Sequence, residues 1–583
     1  MFAFMKKGLL FGLLLLVSLV TYSQTAFNQF VDTVKSTHRT GGLLDTLSNA
    51  TSAFQSTFYL SPNSSILSPF QLYSSNGSTL HALKIKENPL LFSALPHLGF
   101  AYAFGAQGAQ RLKVDFQEAF KNGVLVNLNF DKSKGNGFLR NDDFYFQEFN
   151  AHVLRSGERY SFDFQTGKNV VARSWSNGLF FPIPISGVDL NLQPVQKENA
   201  KSDQKLSFVR FQQRVDFDKD SIQGIGLFSR HEFSEYKRDY QEFDSLTLLY
   251  QNVYWNVDST QDRFRERNFS NDLGVFFDRK NLQLQSALSL RMRKWHDNLL
   301  YHDTTELWWR NDLSYRSAQF QLEHRDAINV IGAGNGFTSI SKLTLPFSFL
   351  AVRIEHALSS TLPELMQRNY LSNNVQYQLS SLEKQWNHTV RFASIKTFGT
   401  VQVEAAYQFL QFKNVYVFNP FEGIWRTDQL ASNGFGQSLE FSANWTYKGF
   451  QLKPHYRWTH FSSDLNFQPQ HQTSLHFQWK GGVFKAKKLR MLFSTDVSYL
   501  SSFQQRAFNP QMGVFDLTQT NNPTSKGFMN VSFTTALEVE TFRFFIRVDN
   551  IGSFWVPSTT AFVTNYAFPS MQLKIGLTWD FWN

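Results

Sequence analysis

The chain has 583 residues, with 57 Lys and Arg against 47 Asp and Glu, a formal charge of +10 and no cysteine. The missing cysteines exclude a disulfide-framed scaffold, and basic residues spread along the chain without a patch argue against nucleic acid as a partner. Aromatic residues make up 16% of the chain, with 62 Phe, while mean hydropathy is −0.32. Beyond residue 24 no stretch of eighteen apolar residues occurs, so helical membrane spans are excluded.

At the N-terminus, Lys6 and Lys7 precede an apolar run over residues 8–20, followed by Thr21-Tyr22-Ser23. A basic start, a short apolar core and small residues predict a secretory signal peptide over 1–23 and a processed chain starting at Gln24. No Cys follows the run, so a lipoprotein signal is not expected. In residues 24–78, Phe27, Phe30, Val31 and Val34 are spaced as one helix face, Gly41-Gly42 could end that helix, and a Ser/Thr/Asn-rich stretch carries Pro62 and Pro69. The segment reads as a small periplasmic or plug-like piece, with a flexible tail as the alternative.

From Thr79 a different rhythm takes over. Val124, Val126, Leu128 and Phe130 alternate with polar residues, and Asp131 to Gly137 reads as a polar turn. Tyr160, Phe162 and Phe164 oppose Arg159, Ser161, Asp163 and Gln165, and Leu282, Leu284, Leu288, Leu290 and Met292 oppose Gln283, Gln285, Ser289, Arg291 and Arg293. Leu439, Phe441, Ala443, Trp445 and Tyr447 share one face, with Glu440, Ser442, Asn444, Thr446 and Lys448 on the other. After Lys448-Gly449 the pattern is answered by Phe450, Leu452, Pro454, Tyr456 and Trp458 against Gln451, Lys453, His455, Arg457 and Thr459. Period two is the strand period. Strands apolar on one face and polar on the other, repeated for hundreds of residues, separate lipid from a watery lumen.

The expected fold is therefore all-β. It is a transmembrane antiparallel up-and-down β-barrel of roughly 18–22 strands over residues 79–583, behind the short N-terminal segment. Short turns are expected near 316–317, 398–399, 448–449 and 540–541, and long exterior loops at 256–268, 295–304, 413–435, 503–525 and 552–568. Ring closure satisfies strand edges, so no disulfide is needed. The last strand sets Met571, Leu573, Ile575, Leu577, Trp579 and Phe581 on one face, just before Trp582-Asn583. Pro454 is a weak point, since proline gives no ladder hydrogen bond.

Motifs for chemistry are sparse. His296-Asp297 with His302-Asp303 is the strongest metal-like cluster, but it lies in an expected exterior loop, and no metal site is assigned. Asp216, Asp218 and Asp220 open like a calcium loop, yet Ser221 and Leu227 stand where Gly and Glu are required. Gly332, Gly334 and Gly336 form a Gly-rich turn without the Lys of a phosphate loop. No catalytic residue and no cofactor is assigned, and the chain is not expected to be an enzyme. Phe418-Asn419-Pro420 with Gly423, and Phe508-Asn509-Pro510 with Gly513, echo one another, and a shared loop conformation accounts for both. The pore-lining candidates are Glu440, Lys448, Lys453, Arg457, Arg291 and Arg293. Mixed charges in a lumen set up a field that orients polar solutes and sets ion preference, and internal salt bridges are the alternative role for them.

The stretch from Glu87-Asn88-Pro89 through Gly99-Phe100-Ala101-Tyr102 and Leu112-Lys113-Val114-Asp115-Phe116 to Lys134-Gly135-Asn136-Gly137 resembles the Bacteroidetes-type putative porin family. Glu158-Arg159-Tyr160, Arg547-Val548-Asp549-Asn550-Ile551 and Gly576-Leu577-Thr578-Trp579-Asp580-Phe581 share the resemblance, which extends over everything after the N-terminal segment. It implies an outer-membrane barrel and passive transport. It carries over no functional residues, and Asn583 departs from the usual aromatic ending.

The expected function is an outer-membrane porin or channel for passive diffusion of small polar solutes or ions. The alternative is an outer-membrane barrel with a structural, assembly or secretion-associated role, its aromatic loops around Trp425 and Phe515 serving as contact surfaces. Expected partners are outer-membrane lipid and lipopolysaccharide, the barrel assembly machinery and small polar solutes, with homo-oligomer formation left open.

Overall fold

The computed structural model describes residues 95–582, apart from 158, 182, 218–223, 245, 333–335, 363–367, 380–381, 422–423, 431–432, 463–468, 485–487, 517–521, 558–559 and 562. The expected signal peptide, the 24–78 segment, residues 79–94 of the expected barrel, Asp218, Asp220, Gly334 and Asn583 lie outside the described residues.

Alternating side chains build long strands from the first described residues onward. In chain order they are β1 (His97–Gly105), β2 (Gln110–Ala119), β3 (Val124–Gly135), β4 (Phe144–Ser156), β5 (Tyr160–Ser174), β6 (Ala200–Asp216), β7 (Gly224–Glu242) and β8 (Thr260–Arg279). Next come β9 (Leu282–His296), β10 (Tyr301–Arg316), β11 (Gln321–Ile331), β12 (Phe337–Pro346) and β13 (Ala351–Thr361). A small hairpin follows, β14 (Asn369–Leu371) with β15 (Gln376–Gln378). After β16 (Gln385–Phe398) and β17 (Val401–Lys413) comes a second hairpin, β18 (Val415–Phe421) with β19 (Ile424–Leu430). Then follow β20 (Gly434–Tyr447), β21 (Phe450–Phe461), β22 (His471–Gly482) and β23 (Leu489–Leu500). The short pieces β24 (Phe503–Gln504), β25 (Phe508–Asn509), β26 (Val514–Phe515) and β27 (Thr524–Ser525) precede β28 (Phe528–Val539), β29 (Phe542–Asp549) and β30 (Gln572–Trp582).

Twenty-two of these strands form one antiparallel sheet. It closes because β30 pairs with β1, with Leu98 opposite Phe581 and Phe104 opposite Ile575, so no barrel strand is left with an open edge. The connections split by side. At one end, two-residue turns join β8 to β9, β16 to β17, β20 to β21 and β28 to β29. Lys448 (φ 44°) and Gly449 (φ 89°) take the left-handed backbone of a type I′ hairpin, and a Cβ on Gly449 would meet the Lys480 carbonyl at 2.2 Å. At the other end lie the long connections 175–199, 243–259, 362–384, 414–433, 501–527 and 550–571. Long loops of an outer-membrane barrel face the exterior.

Three boundaries differ from the sequence reading. The long loop expected at 256–268 lies earlier, at 243–259, because β8 begins at Thr260 and the polar residues 260–268 alternate within the strand. Residues 131–137 are largely strand, since β3 runs to Gly135. Residues 295–304 are no long loop, because β9 continues to His296 and β10 resumes at Tyr301. The polar residues there mark strands that project beyond the hydrocarbon layer. Above the membrane both faces are wet, so the apolar alternation fades while the ladder continues.

Pro454 leaves a visible trace. In the β20–β21 register the pairing passes from Ser442–His455 to Trp445–Leu452, and Pro454 has no partner on β20, while Pro454–Leu475 holds on the other side. The proline nitrogen faces the strand whose ladder is broken.

Candidate functional site

The barrel wall has two chemical faces. Leu439 and Phe441 are turned out, 48% and 46% exposed on the isolated chain, and their neighbours Ser438, Glu440 and Ser442 point inward. A barrel of 22 strands encloses a lumen too wide for its wall side chains to fill, so the inward groups are the lining of a site.

That lining is a lattice of ion pairs between adjacent strands and between strands one further apart. Glu440 accepts a 2.7 Å hydrogen bond from Arg457 Nε and lies 3.5 Å from Arg391, which also reaches Glu404 at 3.1 Å and Glu355 at 3.7 Å. One guanidinium thus spans carboxylates from three strands. Arg293 donates to Glu266 at 2.8 Å, and Arg291 stacks over the Trp308 ring at 5.1 Å. Lys453 faces the lumen exposed and makes no ion pair among the described residues. Lys448 sits in the two-residue turn, at the rim of the barrel, over the Tyr447 ring; its turn position removes it from the strand face on which alternation had placed it. The same lattice continues with Arg210–Glu232 (2.8 Å), Arg214–Asp278 (2.6 Å), Arg310–Asp272 (3.2 Å), Lys480–Glu538 (2.8 Å) and Arg547–Asp496 (3.1 Å). A recess of about 230 Å³ opens on this wall, lined by Arg230, Asp272, Arg310, Asp312, Arg325 and Ala327 among others.

Toward the exterior the long loops pack on one another and on the upper wall of the barrel. One packed cluster joins Phe138 and Leu139 (from 136–143), Trp175, Leu179 and Val195 (from 175–199), Val415 and Val417, Phe508 and Phe515, and Val563 and Tyr566. A second brings Tyr370, Val375, Tyr377, Phe418, Met512 and Val514 onto the inward-facing Leu206, Tyr236, Phe264 and Trp295, with Trp425 packed against it. Phe515 is 1% exposed. Phe515 is therefore turned inward and Trp425 is half-buried, so of the two rings named for contact surfaces only Trp425 keeps an exposed part. Both rings find an apolar environment inside the mouth, which water would deny them outside.

Polar pins hold these loops to the wall. Asp262, at the top of β8, accepts hydrogen bonds from the Tyr370 hydroxyl (2.8 Å), the Ser372 hydroxyl (2.7 Å) and the Gln511 amide (2.9 Å). Gln511 also donates to Ser372, so two loops meet on one carboxylate. Asn373 donates to the Asn256 carbonyl at 2.6 Å and accepts from the N–H groups of Trp255 and Asn256, tying 362–384 to 243–259. Glu242 takes Lys197 at 2.9 Å, the Tyr240 hydroxyl at 2.8 Å and the Tyr250 hydroxyl at 2.7 Å. Arg238 donates to the Pro510 carbonyl at 2.7 Å. Burial pushes the Tyr250 and Tyr370 hydroxyls well above the usual tyrosine range, and the carboxylates they face push the same way. Burial takes Tyr416, in β18, up to about 12.

The two echoed segments meet among these loops. Phe418 and Phe508 each sit in a small hairpin, opposite Thr427 and Phe515, and Phe418 forms an isolated bridge with Asp516. The metal-like cluster does not converge. His296 and His302 fall on opposite faces of the β9–β10 hairpin, Asp297 caps the turn through the N–H groups of Leu299 and Leu300, and Asp303 accepts from Tyr301. Asp216 is engaged by Arg214 at 3.1 Å. Residues missed by sequence reasoning are Asp262, Tyr370, Ser372, Asn373, Gln511, Lys197 and Glu242. Their partners lie up to 249 residues away, and no local spacing signals such a contact.

A search of curated proteins gave no match. Among solved structures the chain is similar in fold to the FrpB iron transporter from Neisseria meningitidis, F3-3 variant (TM-score 0.60, 11% identity, 85% of this chain and 83% of that one). It is likewise similar to the siderophore receptor PirA from Acinetobacter baumannii (TM-score 0.60, 9% identity, 84% and 80%). A third is BauA, the ferric preacinetobactin receptor from the same species (TM-score 0.54, 11% identity, 83% and 80%). These likenesses show the fold, a large closed β-barrel. The profile of the family described as "Putative porin" matches residues 20–583, and the chain belongs to that family.

Proposed function

We propose that this protein is a gated outer-membrane transport barrel, which passes small polar solutes or ions down their gradient through a charged lumen. The observation that carries the reading is the lid: loops from around the ring pack onto inward-facing wall residues and are pinned at Asp262 and Glu242. A permanently open porin has no use for an apolar core across its mouth. Fully buried side chains at Tyr240, Phe418 and Phe515 block passage until the loops part. Below the lid, paired charges offer a polar solute successive partners without a deep trap, as conduction requires. The fold is shared with proteins named as an iron transporter and siderophore receptors, which supports a barrel that opens for cargo. The reading involves no catalysis and no cofactor.

Planar-bilayer recording of the purified full chain tests it, beside a variant whose 503–525 stretch is replaced by a short Gly-Ser linker. Rare, discrete, salt-dependent steps in the wild type and frequent ones in the variant are expected. If both leave the bilayer impermeable to salt and small sugars, the transport reading fails, and a barrel with a structural or assembly role takes its place.

A further inference from the structure

On the outward face, the loop end of β5–β9 carries an abrupt change of chemistry. Reading across these strands by register, Val209, Phe233, Phe269 and Met292 form one continuous row of exposed apolar groups. The next outward row toward the exterior runs from Lys168 through Ser207 and Glu235 to Arg267 and Lys294. The row above it sets Lys205, Lys237 and Arg265 directly side by side. Six cations thus sit one and two rows above an apolar band, where hydrocarbon gives way to headgroups.

Glu235 is the carboxylate that stands among these cations, Asp303 at the end of the lower row pairs with Lys294 at 3.7 Å, and Asp203 and Asp239 face one another in the row beyond, so the six cations of the two rows meet two carboxylates within them. Lys237 and Arg267 reach Glu235 at 2.8 Å, and Arg265 also donates to it. Two charges cannot balance six. Directly opposed like charges, as in Lys205–Lys237, Lys237–Arg265 and Arg267–Lys294, destabilise a sheet. Their persistence on one arc calls for an external anion. The arc is specific: at the loop end of β28, β30 and β1 the outward residues are Met529, Leu573 and Phe104, all apolar and exposed.

We infer that this arc binds a phosphate-bearing glycolipid of the outer leaflet, its acyl chains against the Val209–Met292 row and its phosphates among Lys205, Lys237, Arg265 and Arg267. Charge complementarity at the depth of the headgroups selects this occupant. Cations near an anionic lipid surface add attraction residue by residue, and Arg holds phosphate in a bidentate fork. The inference does not depend on whether the lumen conducts.

The test is affinity of the full chain, in neutral detergent, for bisphosphorylated lipid A and for its dephosphorylated counterpart. The wild type should prefer the phosphorylated lipid by roughly tenfold or more, the preference falling as salt rises. The variant Lys205→Gln/Lys237→Gln/Arg265→Gln/Arg267→Gln should lose that preference, while Lys413→Gln, an outward cation on β17 outside the arc, keeps it. Equal binding of the two lipids by the wild type overturns the inference, as does full retention by the folded quadruple variant. If that variant does not fold, displacement of the lipid from the wild type by inorganic polyphosphate decides: displacement supports the site, and indifference to polyphosphate and salt overturns it. Preferential binding of an acidic peptide over the lipid by the wild type also overturns it.

Discussion

Tyr370 and Asp262 lie 108 residues apart in sequence and share a 2.8 Å hydrogen bond that fixes the 362–384 loop to the barrel wall. Asp262 also holds Ser372 and Gln511, so one carboxylate anchors two loops. Hydrogen bonds to a charged group each contribute about 1.5–3 kcal/mol. Asp262→Ala is expected to raise the open fraction in single-channel recordings by roughly tenfold or more. Tyr370→Phe removes one of the three bonds and should give a smaller rise in the same direction. Unchanged gating in Asp262→Ala would show that the lid is held by apolar packing alone.

The barrel was legible in the sequence because a strand writes its two environments into alternate residues. Leu439, Phe441 and Trp445 against Glu440, Ser442 and Asn444 needed no structure to interpret, and the closing strand Gln572–Trp582 announced itself in the same way. Glu440, Lys453, Arg457, Arg291 and Arg293 were placed on the lumen side by the same parity. What parity cannot state is pairing across the ring. That Arg391 joins Glu440, Glu404 and Glu355 depends on strand register, and register depends on turn geometry. The lid was harder still. Phe515 and Trp425 read as exposed loop aromatics because a loop has no period, and only the meeting of distant loops gives them a buried surface.

Ion preference should follow the lumen charges according to whether they are paired. Lys453 has no counter-ion among the described residues, so Lys453→Glu is expected to shift the reversal potential toward cation preference without measurable loss of stability. Arg391→Ala should shift it further in the same direction, because it leaves Glu355, Glu404 and Glu440 without their shared cation. It should also lower the thermal midpoint, since removing one partner of a buried or half-buried ion network is destabilising. Reversal potentials across a tenfold salt gradient read both; an anionic shift in either variant would contradict the lumen placement.

Alkaline pH should loosen the lid. Tyr416 ionises near 10 when unfolded and at about 12 in the folded lid, because burial disfavours the phenolate. A folded-state value above the unfolded one means stability that is fully present below about pH 10 and lost as pH rises toward 12. Tyr250 and Tyr370 are raised as well, so their contributions run the same way. Ultraviolet titration of tyrosine should show exposed residues ionising first and a late group whose ionisation coincides with rising conductance. In Tyr416→Phe the late amplitude should shrink, and a single transition near the ordinary tyrosine value would refute the assignment.

Pro454 predicts a local weakness that can be repaired. Its ring nitrogen faces β20, where pairing skips from Ser442–His455 to Trp445–Leu452, leaving Ala443 and Asn444 without ladder partners on β21. The residue points outward, so a β-branched apolar side chain suits both the lipid face and the strand. Pro454→Val supplies the missing donor and is expected to stabilise the barrel by about 1 kcal/mol, raising the unfolding midpoint slightly. The sharper readout is amide exchange, which should slow at residues 443–444 and 453–455 and be unchanged on the β22 side, where Pro454–Leu475 is already formed. Equal exchange in the two proteins would mean that the skip is set by the twist of β20 and not by the proline.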